Sequence, residues 1–318
     1  MAPARRPTAL PANCTAAAAH MGLDIVTAAT AIGPFRMAVL ARADVVSGAI
    51  KKQGYWEWRS PEEMLGAAGR AREERQRDRA NGPKVVPYIP DEPPKVKAAL
   101  RRFLDVGANL GWYAFLFAQA GWDVLAIEPR RQHRRAIEAT RCLNPELGRR
   151  ITLLSVAVGS PEDAVGGACF FLASSAGSRA LCGAAAAATN CTHLLVAPRL
   201  KPRTCKDGKV RRSCLLPPYQ ACERAPLLTL DSLLLHNTRG FGAARIGVGG
   251  LECRVLAGAG SALRSTMKHA RPLVLQVEGA APKSASCARA FASKLKYEVA
   301  QTRVPPANKL HFILHRKP

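Results

Sequence analysis

The sequence is poor in several things, and each absence excludes something. Aromatic residues make up only 6% of the chain, which counts against the stacking platforms that seat unpaired bases. Acidic residues number 23 against 47 basic ones, a formal net charge of +24. Such a balance favours polyanionic partners or surfaces. The basic residues are spread along the chain, however, so charge alone does not outline a nucleic-acid groove. No apolar run reaches the roughly 18–20 residues needed to span a bilayer; the best candidate, Thr27 to Val46, is broken by Pro34, Arg36, Arg42 and Asp44. The six cysteines from Cys169 to Cys222 include no C-x-x-C pair, which argues against a zinc knuckle, and no metal site is expected. What the chain does have is 318 residues, 48% of them hydrophobic, enough to bury one large core with extensions.

One further absence decides the chemistry. Phe103-Leu104-Asp105-Val106-Gly107-Ala108-Asn109-Leu110-Gly111 reads as a buried strand, a glycine loop and the first turn of a helix. A second apolar strand, Asp123 to Ile127, then delivers Glu128 at its end. This is the layout of a nucleotide-type cofactor site at the carboxyl ends of parallel strands. A dinucleotide loop needs G-x-G-x-x-G to seat a pyrophosphate, yet Asn109 stands where the middle glycine belongs. The pattern is D-x-G-x-N-x-G, and an acid at the strand end repels phosphate while suiting a cation. S-adenosylmethionine (SAM) carries a sulfonium and an ammonium and no phosphate. Gly107 permits a sharp backbone turn, Gly111 lets the helix sit close, and Glu128 can accept two hydrogen bonds from a ribose diol. The competing reading is a purely structural strand-turn-helix; the second acid at the right distance counts against it.

The rest of the chain alternates strands and helices, which implies a parallel, doubly wound α/β sheet. Residues 1–34 read as a leader, disordered or targeting. Its first 23 residues hold no acid until Asp24 and include Arg5 and Arg6, as a transit peptide would. Residues 35–94 form an N-terminal extension: a short strand from Phe35 to Leu40, a helix from Asp44 to Lys52, and the cluster Tyr55-Trp56-Glu57-Trp58, read as a packing plug in preference to a lid. Ser60-Pro61-Glu62-Glu63 opens a helix with a capping box, expected to run through the charged stretch to Arg79. The main domain, 95–318, continues with a third strand from Ile151 to Val158, a fourth from Arg245 to Val248, a helix from Leu251 to Leu263 and a fifth strand from Leu273 to Glu278. Tyr297 to Thr302 and Leu310 to His315 close it as an antiparallel pair.

An insertion at about 165–225 interrupts this rhythm. An even set of cysteines in a loop-rich segment points to disulfides, at least two of them internal, and hence to an oxidising compartment. Asn13-Cys14-Thr15 and Asn190-Cys191-Thr192 are glycosylation sequons, so the secretory pathway is favoured, with an organelle reached by a transit peptide as the alternative. The basic run from Arg199 to Arg212 reads as a solvated loop, and Leu216-Pro217-Pro218-Tyr219 as a turn. The related tetrapeptide of amino-group methyltransferases begins with Asp, Asn or Ser, and Leu216 lacks the acceptor atom that such a target amine needs.

Taken in order, F-L-D-V-G-A-N-L-G-W-Y, A-I-E-P, L-S-V-A-V-G-S, L-T-L-D-S-L-L, R-I-G-V-G-G-L-E-C-R-V-L-A-G-A and P-L-V-L-Q-V-E resemble the FkbM-type SAM-dependent methyltransferases, from about residue 35 to the C-terminus. The resemblance implies a class I methyltransferase (Rossmann-like) fold and O-methylation of a hydroxyl on a glycan or small metabolite. It implies that Asp105, Gly107, Asn109, Gly111 and Glu128 hold SAM. The family pattern after the fourth strand resembles K-I-D-V-E-G-x-E; here Gly247 and Gly249 replace both acids. That leaves Glu278 and Glu252 as the nearest carboxylates for acid-base work. Three functions follow: an O-methyltransferase; a catalytically impaired SAM-binding relative with a structural or binding role; and a nucleic-acid methyltransferase, against which the missing tetrapeptide and the scarcity of aromatics count.

Overall fold

The structure is a computed structural model and describes residues 14–42, 44–66, 101–174, 177–183, 186, 191, 221–235, 240–263, 272–279, 282–304 and 309–316. The expected helix through Arg70–Arg79, the basic run, the Leu216–Tyr219 turn and both sequon asparagines lie outside the described residues. No helix among those described is long and apolar enough to cross a membrane.

The N-terminal part comprises α1 (Cys14–His20), β1 (Leu23–Ala29), β2 (Pro34–Leu40) and α2 (Val45–Gln53). The β1–β2 pair is an antiparallel hairpin running from Leu23↔Leu40 to Ala29↔Pro34. Organised chain therefore begins by Cys14, and the expected boundary at residue 34 falls inside a hairpin. The alanine-rich leader gave no periodic signal of its own; its order comes from packing and from a Cys14–Cys142 disulfide. Asp44 caps α2 by accepting from Ser47 N at 2.8 Å, and Gly54 ends the helix in the left-handed region.

The main body follows with β3 (Arg102–Val106), α3 (Trp112–Gln119), β4 (Asp123–Ile127), α4 (Arg131–Leu143), α5 (Pro145–Gly148) and β5 (Ile151–Leu154). Next come β6 (Ala157–Gly159), α6 (Pro161–Val165), β7 (Ala168–Ser174), β8 (Gly177–Cys182) and β9 (Ala221–Thr229). The chain ends with α7 (Leu230–Leu233), β10 (Ala243–Ile246), α8 (Glu252–Ala257), β11 (Val274–Gly279), α9 (Pro282–Leu295), β12 (Tyr297–Val304) and β13 (Lys309–Arg316).

Seven strands form one sheet in the order β12-β13-β11-β10-β3-β4-β5. The five strands from β11 to β5 are parallel, and β13 runs antiparallel to both β11 and β12. This is the doubly wound α/β arrangement expected from the motifs, with the closing antiparallel pair in place. The strand order reverses between β3 and β10, and a crevice opens at such a switch point beyond the carboxyl ends of the strands.

Period-two alternation sorts the strand residues onto two faces. Phe103, Ala243, Val274 and Ile313 join a core with the α3 aromatics, α4 and the N-terminal hairpin. Leu104, Val106, Ala244, Ile246, Leu275, Val277, Phe312 and Leu314 join a second core with α8 and α9. The N-terminal extension thus covers one face of the sheet. Trp56 and Trp58 are buried there, and Trp58 O accepts from Trp112 Nε1 at 3.0 Å, so the aromatic cluster packs as a plug.

The third expected strand divides. Ile151–Leu154 pairs with β4 in the large sheet, whereas Ala157–Gly159 pairs with β9 in a separate sheet of order β6-β9-β7-β8. Both halves are apolar, so hydrophobicity alone gives no sign that the chain changes sheets at Ser155–Val156. The insertion is correspondingly less loop-like than its composition indicates: β7 pairs with both β8 and β9. Two disulfides, Cys169–Cys182 and Cys191–Cys222, lie within it, and Cys253–Cys287 joins α8 to α9.

Candidate active site

The loop after β3 is shaped by three left-handed residues in alternation: Gly107 (φ 82°), Asn109 (φ 53°) and Gly111 (φ 85°). Asparagine tolerates that region better than other side chains. The turn is pinned by Ile127 O, which accepts from Gly107 N at 2.9 Å and from Ala108 N at 3.0 Å. Gly107 is required twice over, because a Cβ there would collide with the Gly247 carbonyl of the neighbouring strand loop. At Gly111 a Cβ would press within 3.0 Å of Ile137 Cγ1 and 3.1 Å of Phe115 Cε2, so the glycine sets how closely α3 and α4 approach.

Glu128, at the end of β4, closes the far side of the loop. Its Oε2 accepts from Asn109 N at 2.8 Å, its Oε1 accepts from Arg130 N at 2.9 Å, and His133 Nδ1 lies 3.4 Å from Oε1. Burial pushes this carboxyl up, but His133 and the two backbone N–H groups outweigh burial and hold it below its usual range. An ionised acceptor therefore sits on the wall of a cavity of about 240 Å³. Val156, Val158 and Phe171 form an apolar side of that cavity.

A second cavity, of about 140 Å³, lies toward the N-terminal extension and is lined by Trp56, Trp112, Tyr113, Arg245 and Glu278 among others. Gly107, Asn109, Gly247 and Gly249 line both cavities, so the two meet at the switch point. Beneath the second cavity is a buried polar cluster. Arg245 on β10 donates from Nη1 to Asp105 Oδ1 at 3.2 Å and to Gly107 O at 3.1 Å, and pairs through Nη2 with Glu278. Its Cζ stands 4.4 Å over the Tyr113 ring, a cation–π contact. Tyr113 donates to Glu57 Oε2 at 2.5 Å, Glu57 Oε1 lies 3.3 Å from His311 Nε2, and His311 Nδ1 is 2.6 Å from Gln276 Nε2.

The electrostatics follow from this packing. Burial raises Asp105 to about 6 even though Arg245 pulls it down. Burial disfavours the Arg245 charge, but Glu278 and Asp105 outweigh it and raise the pKa of the guanidinium. Burial and the neighbouring Glu57 carboxylate push the Tyr113 phenol well above its ordinary value.

The sequence-derived residues fall into place unevenly. Gly107, Asn109 and Glu128 line the cavities, Gly111 lies behind them, and Asp105 is fully buried below the loop. Glu278 lines the second cavity with its carboxylate tied to Arg245. Glu252, also fully buried, accepts from Val248 N at 3.1 Å and Gly250 N at 3.0 Å and so closes the loop after β10. Arg245, Glu57, Tyr113 and His133 were missed. A charged residue inside an otherwise apolar strand, as Arg245 is, was the available signal. Gly247 and Gly249 differ in their surroundings. A Cβ at Gly247 would lie 2.5 Å from both Arg245 Nη2 and Glu278 Oε1, so the ion pair occupies the room an acid would need. Gly249 faces open space but is left-handed, at φ +67°.

The chain matches no family model, and no curated protein matches its sequence. Among solved structures it is similar to the METTL16 methyltransferase domain (12% identity, 93% of this chain and 86% of that one, TM-score 0.39). It is similar also to precorrin-6y C5,15-methyltransferase from Geobacter metallireducens (12%, 70% and 85%, TM-score 0.35). A third is a SAM-dependent O-methyltransferase from Thermotoga maritima (9%, 93% and 78%, TM-score 0.33).

Proposed function

We propose that this chain is a SAM-dependent methyltransferase of the FkbM type that transfers a methyl group to a hydroxyl on a glycan or small metabolite. The observation that carries the reading is the pair of cavities meeting at Gly107, Asn109, Gly247 and Gly249, with an ionised Glu128 in one and the Arg245–Glu278 pair in the other. The residues present fit the cofactor. Gly107 and Asn109 of the loop line both cavities. Asn109 Oδ1 is buried without a hydrogen-bond partner among the described residues, and Val156, Val158 and Phe171 offer an apolar wall to a base. Glu128 would accept from the ribose hydroxyls, and the Asp105–Gly111 loop would hold the methionine end. Bound there, SAM would supply a methyl group on a sulfonium, an electrophile that is already activated, so positioning accounts for much of the acceleration.

On the acceptor side the chain's own contribution rests on Glu278. Arg245 pairs with that carboxylate and holds it in place, so it can accept a hydrogen bond from the incoming hydroxyl and orient it. The disulfides support a secretory-pathway location for this activity.

The test is titration calorimetry of the oxidised, full-length chain with SAM, followed by a methyl-release assay on hydroxyl-bearing glycans and metabolites. Saturable SAM binding with turnover on such an acceptor is expected. Folded protein that binds no SAM would remove the reading altogether, while binding without turnover on any acceptor would identify a catalytically impaired relative.

A further inference from the structure

The second sheet supplies one wall of the first cavity, and that wall contains a disulfide. Cys169 and Cys182 both line the cavity, with Phe171 and Ala180 beside them, as do Glu128 and His133. They face each other directly across the β7–β8 pair and are bonded. Among the described residues, Ala157, Cys169 and Leu227 form a buried apolar cluster here, with Ala164, Phe171 and Cys182 packed partly buried against them. Both bonded cysteines belong to that cluster, so the bridge is part of what fixes this wall. The turn entering β7 is held independently. A Cβ at Gly166 would sit 2.6 Å from Gly183 O, and one at Gly183 would sit 2.7 Å from Asp163 Oδ1. The hairpin is thus gripped against α6 at the end that carries the bridge, β7 is paired along its length with β8 and β9, and the bridge fixes how the cavity-facing ends of β7 and β8 sit.

We propose that the Cys169–Cys182 disulfide gates the cofactor cavity: oxidised, it completes the wall against the adenosine end of SAM; reduced, it releases that wall and weakens binding. The inference rests on the methyltransferase reading above and adds regulation to the same site. Cys169 is buried at 1% exposure, whereas Cys182 is half-buried and borders the open cavity, so Cys182 is the sulfur a reductant reaches. A thiolate of a small dithiol attacks Cys182 Sγ. The disulfide breaks, its electron pair leaves on Cys169 sulfur, and that sulfur takes a proton. The second thiol of the reductant then displaces Cys182 as a thiolate, which is protonated in turn, and the reductant closes its own disulfide. Two electrons and two protons pass to the protein. A ligand in the cavity blocks this approach, and linkage requires that a reduction which weakens SAM binding is itself opposed by SAM.

The experiment uses the oxidised, full-length chain, dithiothreitol as the dithiol, and alkylation with mass spectrometry to follow each cysteine pair, with and without saturating SAM. Because it blocks the reductant's access, SAM is expected to slow reduction of Cys169–Cys182 by about tenfold or more while leaving Cys14–Cys142, which joins α1 to α4 away from the cavity lining, unchanged. The Cys169→Ser, Cys182→Ser double variant is expected to bind SAM about tenfold or more weakly. Equal reduction rates with and without SAM would overturn the proposal. So would a folded double variant with wild-type affinity; if that variant does not fold, the protection measurement on the natural chain decides. Failure of the oxidised chain to bind SAM at all would instead sink the methyltransferase reading, so the two failures are distinguishable.

Discussion

The seven-stranded sheet is covered on both faces by extensive hydrophobic layers, whereas among the described residues the four-stranded sheet beside it has a smaller apolar cluster that includes a disulfide. Both border the same cavity. In the large sheet, side chains interlock with helices on both sides, so the loops at its strand ends are held by surroundings that barely yield. In the small sheet the described apolar cluster is smaller, and a covalent link adds to it. The rigid side carries the loop and its acids, and the lightly packed side carries the wall that a ligand must lie against. Substitutions in the packed core of the first region should therefore register as lost stability, and substitutions of residues that line the cavity as lost affinity.

The largest expected effects fall in the large sheet. Phe103 is fully buried, with its ring stacked on Phe117 at a centroid distance of 3.7 Å. Phe103→Ala should cost about 3–5 kcal/mol in urea unfolding. Arg245→Leu should cost a similar amount, about 3–5 kcal/mol, because it leaves Asp105 and Glu278 buried without their shared cation. A loss below about 1 kcal/mol would mean that the cluster is solvated and the contrast between the sheets is overstated.

Glu128→Ala comes next, and its main readout is binding. SAM affinity should fall by about 1.5–3 kcal/mol, the size of lost hydrogen bonds to a charged group. Unchanged affinity in a folded variant would remove the ribose assignment. Phe171→Ala is the small-sheet counterpart of Phe103→Ala. It should weaken SAM binding by about 1–2 kcal/mol through lost apolar contact, with a stability change smaller than that at Phe103; the reverse ranking, by calorimetry and unfolding together, would erase the distinction.

The smallest effect is in pH dependence, where the two acids of the site act in opposite directions. Asp105 is raised in the folded state from 3.8 to about 6. The folded chain thus binds its proton more tightly than the unfolded chain, and the associated stability is fully present below 3.8 and lost as pH rises through about 6. Glu128 is lowered, so its share is present above the ordinary glutamate value and lost as pH falls through the folded one. Thermal melts from pH 4 to 7 should show the falling contribution in the natural chain and its absence in Asp105→Asn. An identical slope in both would place the titration elsewhere.

How much of this was readable in advance depended on sequence distance. The D-x-G-x-N-x-G loop and Glu128 were legible because their constraints are local: a few residues of one turn, and the next strand. The parallel sheet was legible from the alternation of apolar strands and helices. The Arg245 cluster was not. Asp105 and Arg245 are 140 residues apart and meet only because β3 and β10 pair with those two residues in register. Glu57 reaches the same face from the N-terminal extension, on a residue held at φ 54°, and nothing in Tyr55-Trp56-Glu57-Trp58 announces a partner on β13. The second sheet was hidden for another reason: β5 and β6 form one apolar run whose two halves pair with different partners.

The sequence by itself determined the alternation of strands and helices in the large sheet, the glycine loop, the acid at the end of β4 and the even number of cysteines. Each is a matter of backbone conformation, hydrophobic period or counting along a short stretch. Only the tertiary structure decided that Gly247 is a glycine because Arg245 and Glu278 fill its side-chain space, that Glu252 closes a loop, and that a disulfide walls the cavity. These depend on which strands lie side by side, and pairing between distant segments is fixed by how the whole chain buries its apolar faces, which no local pattern encodes.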